Sequence, residues 1–126
     1  MEDCTIEIKT HTKGKVSFYR AKGSLERTER GAFVRYSHED EEVLLVLAED
    51  RLEMERESLS MRFQRGDATA VKLRMSGREG TIPLKTHYYA REEQGSGFMA
   101  VMRYELGEPS QKFIVNIRIG PGSEER

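Results

Sequence analysis

Residues 50–67 read DRLEMERESLSMRFQRGD, and the spacing of apolar residues in this stretch decides the fold. Almost all of these residues are good helix formers, but tertiary packing readily overrides helix propensity, so the period of the apolar residues is the stronger signal. That period is two. The apolar residues are at even positions first, Leu52 and Met54, and then at odd positions, Leu59, Met61 and Phe63. A helical stripe starting from Leu52 would instead run through Glu55 and Arg56. The stretch therefore predicts two strands.

The change of parity indicates a hairpin with a two-residue turn at Glu57 and Ser58. Directly paired residues place their side chains on the same face of a sheet, so a two-residue turn joins an even set to an odd set. The predicted pairs are Arg56 with Leu59, Met54 with Met61, and Leu52 with Phe63.

Further turns extend this register in both directions. A turn at residues 49–50 pairs Leu47 with Leu52. The other predicted pairings are Phe63 with Val71 across a loop at residues 66–68, Met75 with Ile82 across a turn at residues 78–79, and Leu106 with Phe113 across a turn at residues 109–110. These parities predict an inward-facing set: Ala32, Val34, Tyr36, Val43, Leu45, Leu47, Leu84, Thr86, Tyr88, Ala100, Met102, Tyr104, Leu106, Phe113, Val115, Ile117 and Ile119.

Consecutive antiparallel hairpins of this number usually curl and close, because closure removes the exposed edges of the sheet. The sequence therefore predicts an all-β, antiparallel, up-and-down barrel of about nine or ten strands. The length suits one domain, and no Pro, Gly or Ser-rich linker divides the chain. We expect a single barrel domain over residues 1–126, with an ordered core at about residues 5–120.

Composition narrows the function classes. The 21 basic and 22 acidic side chains nearly cancel, so no net charge draws the chain to nucleic acid or to an anionic membrane. Cys4 is the sole cysteine, and no apolar run has the length of a signal peptide or membrane span. We expect a cytoplasmic protein with no membrane contact. Nucleic acid is not an expected partner, because acids dilute the basic residues Arg62, Arg65, Lys72 and Arg74.

The order of motifs along the chain resembles the bacterial DUF1934 (YwiB-like) family, from about Ile6 to Ile119. The segments that carry the resemblance are KGSLERTERGAFVRYSHE, EVLLVLAEDRLEMER, MRFQRG, GREGTIPLKTHYY, FMAVMRYEL and FIVNIRI. The resemblance implies a calycin-like β-barrel, related in architecture to lipocalins and fatty-acid-binding proteins. It implies no biochemical activity, because none is assigned to the family.

Arg56 is the main candidate for a ligand-binding residue, because a guanidinium on an inward position must find an acceptor or stay near water. Four inward hydroxyl residues could join it: Tyr36, Thr86, Tyr88 and Tyr104. In calycin-like barrels, an arginine with tyrosine hydroxyls commonly receives a ligand carboxylate. The alternative is that Arg56 pairs with a nearby glutamate at the barrel mouth while the interior is filled by methionines, namely Met54, Met61, Met75 and Met102.

No pattern in the sequence supports an enzyme, a metal site or a cofactor. The run HEDEE at residues 38–42 lacks the spacing of a calcium loop or zinc site, and is typical of a solvated turn. The three histidines are far apart in sequence, and no Gly-rich loop precedes a helix. Catalysis is the least supported class.

Four outward-facing apolar residues are candidates for an interface: Leu44, Val46, Val101 and Ile114. A contiguous patch of them would indicate a homodimer or a partner-binding surface, whereas scattered apolar residues are normal on any protein. The leading hypothesis is a non-catalytic barrel that binds a small amphipathic or carboxylate ligand. The alternative hypothesis is a protein-interaction or homodimerisation module that uses its outer sheet face.

Overall fold

The computed structural model describes residues 2–122 of the chain. Within that range all regular structure is β, in ten strands: β1 (Glu2–Thr12), β2 (Lys15–Thr28), β3 (Gly31–His38), β4 (Glu41–Leu47), β5 (Arg51–Arg56), β6 (Leu59–Gln64), β7 (Ala68–Met75), β8 (Arg78–Gln94), β9 (Gly97–Leu106) and β10 (Gln111–Pro121). Each strand is antiparallel to its sequence neighbour, and β1 pairs with β10 to close the barrel. The predicted up-and-down barrel is confirmed.

The hairpin at residues 50–67 has the predicted register. Arg56 lies opposite Leu59, and Met54 lies opposite Met61. On the other side of the same strand, Leu47 pairs with Leu52. The alternation of apolar and charged residues therefore predicted the two strands correctly, whereas helix propensity favoured a helix.

Three other registers differ from the prediction by an even number of residues. Leu59 pairs with Leu73 across β6 and β7, Val71 with Ile82 across β7 and β8, and Tyr104 with Phe113 across β9 and β10. The turns therefore lie at residues 65–67, 76–77 and 107–110 rather than at the predicted positions. An even error leaves every side chain on its predicted face, so the inward set survives these corrections.

A β-bulge in β8 reverses the facing of its second half. The register to β9 shifts between Thr86 and Tyr88, so that Tyr89 and not Tyr88 is buried in the interior. The prediction that Tyr88 faces inward is wrong, because a bulge inserts one unpaired residue and so changes the parity. The Tyr88 ring lies outside, against the guanidinium groups of Arg65 and Arg103.

The barrel interior is filled with side chains. Two or more inward residues from most strands are almost fully buried, including Ile6, Val34, Leu45, Leu52, Leu84, Phe98 and Ile117. Of the four methionines considered as filling, Met102 is buried and Met54 and Met61 pack against the core, but Met75 is exposed. Met75 lies at the end of β7, next to the turn into β8.

Candidate functional site

Arg56 lies at the end of the barrel where β3 turns into β4 and β5 turns into β6, and it is already paired. Its Nε donates to Oε1 of Glu41 at 3.0 Å, and its Nη2 donates to the carbonyl oxygen of His38 at 3.0 Å. Its Nη1 lies 3.2 Å from Nδ1 of His38. The side chain is 12% exposed, so it is neither free in a cavity nor extended into water.

Glu41 accepts hydrogen bonds from Ser58 as well as from the Arg56 guanidinium. The backbone N–H and the hydroxyl of Ser58 both donate to the same Oε1 at 3.0 Å. The Ser58 N–H and the Arg56 guanidinium together hold the pKa of Glu41 below its usual range. The arrangement ties the β3–β4 turn to the β5–β6 turn, which is a structural task. Glu41 belongs to the HEDEE run, and no group of metal-ligating residues occurs anywhere in residues 2–122.

Aromatic side chains cover the inner side of this cluster. Tyr36 is buried as predicted, and burial raises the pKa of its phenol to about 12 despite the nearby Arg56. The Tyr19 ring packs edge-on against His38 with centroids 4.7 Å apart, and lies 6.0 Å from the Tyr36 ring. Tyr36 and Tyr19 therefore form the apolar inner boundary of the Arg56 cluster.

The two other inward candidates lie away from Arg56, on β8 and β9. Thr86 is fully buried, and its hydroxyl has no hydrogen-bond partner among the described residues. Tyr104 lies opposite Thr86, its ring stacks on Phe113 at 5.1 Å, and burial raises the pKa of its phenol to about 12. Of the five predicted ligand-binding residues, only Arg56 and Tyr36 come together; Thr86 and Tyr104 form a separate pair.

The predicted interface residues divide into two groups on opposite parts of the wall. Leu44 and Val46 lie on β4 and are half-buried. Leu44 lies between Arg35 and Glu55, and Val46 lies between Phe33 and Glu53. Ile114 and Val101 lie on β10 and β9. A single patch of all four residues does not exist.

Ile114 and Val101 instead share a face with the first half of β2, which sequence reasoning missed. Val16, His11 and Ile114 lie side by side across three strands, as do Phe18, Lys9 and Asn116. Val16 is 57% exposed and Phe18 is 63% exposed, and three of the four large exposed hydrophobic residues in the described range lie here. A signal existed in the sequence, since Val16 and Phe18 alternate with Ser17 and Tyr19.

The first half of β2 also has an unpaired side. The ladder between β2 and β3 begins only at Gly23 and Tyr36, so residues 15–22 pair with β1 on one side and with no described strand on the other. We call residues 15–22 the open edge. At the point where it begins, a side chain at Gly23 would collide with the carbonyl oxygen of Arg35 and with Cβ of Tyr36. Only glycine lets β2 approach β3 there.

The hairpin that carries the open edge is strongly basic. Residues 9–22 contain five basic side chains, Lys9, Lys13, Lys15, Arg20 and Lys22, together with His11 and no acid. This is a local concentration of positive charge in a chain whose formal net charge is −1. Whole-chain charge concealed it from the sequence reasoning.

A cleft of about 280 Å³ lies at the opposite end of the barrel, beside the turns after β2 and β4. The guanidinium carbons of Arg27 and Arg91 lie 4.9 and 5.2 Å from the centre of the Phe98 ring, which forms part of its wall. Three arginines and three glutamates line it in all: Arg27, Arg30, Arg91, Glu29, Glu49 and Glu93. The lining has no excess charge that would select an anion or a cation.

The strand order and closure define the class of protein as a single-chain, up-and-down antiparallel β-barrel with a filled interior. Among solved structures, the crystal structure of YwiB from Bacillus subtilis is similar to this chain with a TM-score of 0.80 and 15% identity, over 96% of this chain and 91% of YwiB. At that identity the likeness shows the fold alone. No family model and no curated protein matches the chain. No helix capable of crossing a membrane occurs in residues 2–122.

Proposed function

We propose that this chain is a non-catalytic interaction module that binds an extended segment of a partner protein along its open edge. The observation that carries the proposal is that residues 15–22 have no paired strand on one side while Val16 and Phe18 are exposed beside them. In an antiparallel strand, alternate residues direct their N–H and C=O groups towards the unpaired side. Those groups are a template for one more strand.

Strand addition fits the remaining features of the barrel. The interior is filled, and Arg56 is paired with Glu41, so recognition is left to the outer surface. Main-chain hydrogen bonds supply affinity in this binding mode, and side chains flanking the edge supply specificity. The exposed Val16 and Phe18 side chains would cover apolar residues of the added strand. The proposal therefore assigns the binding role to the outer sheet, as the second sequence hypothesis did.

We also propose that the chain is a divergent, cytoplasmic member of the DUF1934 family. Two observations support membership: the similarity of its fold to YwiB, and the order of the motifs from KGSLERTERGAFVRYSHE to FIVNIRI. The cytoplasmic location is supported by the lone Cys4, which is buried and free.

The test of the binding mode combines peptide selection with amide exchange. A displayed library of random peptides of about ten residues is selected against the whole protein, and binders are mapped by amide hydrogen exchange in NMR spectra. The expected result is slower exchange of alternate amides within residues 15–22. Protection of β4 around Leu44 and Val46 in place of the open edge would contradict the proposal.

A second candidate function is binding of a small carboxylate at the Arg56 end of the barrel. It is favoured by the position of the buried Tyr36, two residues before His38, whose carbonyl oxygen accepts from Arg56. A carboxylate would have to displace Glu41 from Nε of Arg56, because that carboxylate occupies the site. The exchange is feasible only if the ligand gains further hydrogen bonds, since Glu41 is also held by Ser58.

Native mass spectrometry of the purified protein tests this candidate. A retained small molecule that is lost in the Arg56→Met variant, but kept in an Arg51→Met control on the same strand, would support it. Retention of the molecule by Arg56→Met would exclude the Arg56 site.

A further inference from the structure

We infer that the segment bound at the open edge is acidic, with apolar side chains beside Val16 and Phe18 and carboxylates beside Arg20 and Lys22. The inference rests on the proposed function and adds the chemical class of the partner. It is carried by the order of side chains on the outer face of β2 and by the charge of the β1–β2 hairpin.

The outer face of the open edge changes character along the strand. Even-numbered residues face outward, and they are apolar at Val16 and Phe18 and basic at Arg20 and Lys22. Side chains at directly opposite positions of an antiparallel pair lie about 4.5–5.5 Å apart, and opposite charges at such positions attract. An added strand would therefore match two apolar residues with the first half of the edge and two acids with the second half.

The basic residues of this face are not neutralised by the rest of the barrel. Arg20 has one ion pair, with Glu7 at 3.6 Å, and its side chain is 54% exposed. Lys22 makes no ion pair with any residue in the described range. A further basic residue, Arg35, faces outward on the neighbouring strand β3, opposite Ser24. Exposed pairs such as Arg20 with Glu7 contribute little, so both cations stay available to an incoming carboxylate.

Charge also distinguishes a foreign strand from a second copy of the chain. Two copies meeting at their open edges would bring together two hairpins that each carry five basic residues and no acid between residues 9 and 22. Lysine on an exposed edge is a common means of preventing such edge-to-edge association. The same positive charge attracts an acidic strand and increases its rate of association.

The inference specifies which peptides to synthesise. In a parallel alignment the outward positions of the peptide read apolar, apolar, acidic, acidic, and in an antiparallel alignment the order is reversed. The probes are therefore two peptides with isoleucine, valine and two glutamates at alternate positions, one in each order, separated by threonine. Matched probes carry lysine in place of glutamate.

Binding is measured by fluorescence anisotropy at about 50 mM and 200 mM salt with the full-length protein. One glutamate peptide is expected to bind at least about tenfold more tightly than its lysine counterpart, because two attractive pairs become repulsive. The Lys22→Glu variant is expected to abolish the preference, because Arg20 then attracts glutamate while Glu at position 22 repels it. Lys72→Glu, which makes the same change of charge on β7 across the barrel, is expected to leave it unchanged.

The peptide backbone provides the control for strand addition. Two versions of the preferred peptide are N-methylated at alternate nitrogens, so that only one version loses the donors that face β2. Loss of binding in one version and not in the other supports pairing along the edge. Equal binding of both versions, with protected amides outside residues 15–22, would overturn the proposed function itself.

Other outcomes overturn the acidic partner while leaving the edge as the binding site. Equal affinity of glutamate and lysine peptides that protect residues 15–22 would mean that charge selects nothing. Tighter binding of a single-stranded oligonucleotide to the same residues would replace the peptide by nucleic acid. Concentration-dependent dimers that protect the same amides without any peptide would make a second copy the occupant.

Discussion

Replacement of Thr86 by valine is expected to stabilise the protein. The residue is completely buried in the barrel interior, and its hydroxyl has no hydrogen-bond partner among the described residues. A buried hydroxyl without a partner costs about 1–3 kcal/mol in mutational studies. Valine keeps the shape and the β-branched stiffness of threonine while it removes the polar atom. We expect a gain of about 1–2 kcal/mol in the free energy of unfolding.

Urea denaturation followed by circular dichroism measures this gain. The midpoint should rise with an unchanged slope, and the melting temperature of a 126-residue chain should rise by about 4 °C per kcal/mol. Thr86→Ser is the matched comparison, since it keeps the hydroxyl, removes a methyl group and should destabilise by about 1 kcal/mol. Thr81→Val changes an exposed residue of the same strand, so its effect should stay within about 0.5 kcal/mol.

A neutral or destabilising effect of Thr86→Val would contradict this prediction. It would mean that the hydroxyl has a partner in solution, such as a buried water or a ligand inside the barrel.

Three further predictions concern the positions that shape the barrel. Gly23→Ala should destabilise by about 1–3 kcal/mol in urea denaturation, because the added methyl group meets the backbone of β3. Tyr89→Phe should destabilise by about 1–2 kcal/mol, because the buried phenol donates to a backbone carbonyl at 2.7 Å. The pKa of Glu41 is lowered in the folded state, so its ionised carboxylate stabilises the fold. This stabilisation is fully present above about pH 4.3, the pKa of an unfolded glutamate, and is lost as pH falls through the lower pKa of the folded state. The difference in stability between wild type and Glu41→Gln should therefore shrink in acid.

Each of these predictions has a control in the same chain. Gly80→Ala adds a methyl group to open space and should be neutral or slightly stabilising. Tyr88→Phe alters a ring on the outer wall and should change stability by less than about 0.5 kcal/mol; an effect as large as that of Tyr89→Phe would contradict the bulge. Glu42→Gln removes an exposed neighbour of Glu41 and should change stability by less than about 0.5 kcal/mol.

Parity, more than register, was predictable from the sequence. Three of the predicted turns are displaced, yet inward residues such as Leu84, Val115 and Ile117 are inward, because each displacement moves the pairing by an even number. Tyr88 is the exception, since a bulge changes parity by one and threonine, histidine and tyrosine carry no local signal of it.

The pairing of Arg56 with Glu41 could have been predicted from the same parity of residues along the strands. Glu41 has the same parity as Val43 and Leu45, so it faces the interior two residues from the position level with Arg56. Diagonal neighbours at this spacing are close enough for long side chains to meet. The sequence reasoning treated residues 38–42 as a solvated turn, and the like charges of its neighbours concealed the one glutamate that points inward.

The open edge could not be predicted from the sequence, because it depends on where the pairing between β2 and β3 ends. Closure was expected to remove every edge, but β2 is 14 residues long and β3 only 8, so the two cannot pair along their whole length. On the inner face of β2, the Tyr19 ring packs near Tyr36 and His38, and its hydroxyl donates to the carbonyl oxygen of Ser37 at 3.3 Å. The first half of β2 is therefore left without a paired strand on that side, and the exposed Phe18 and the basic residues around it are what a partner strand would meet there.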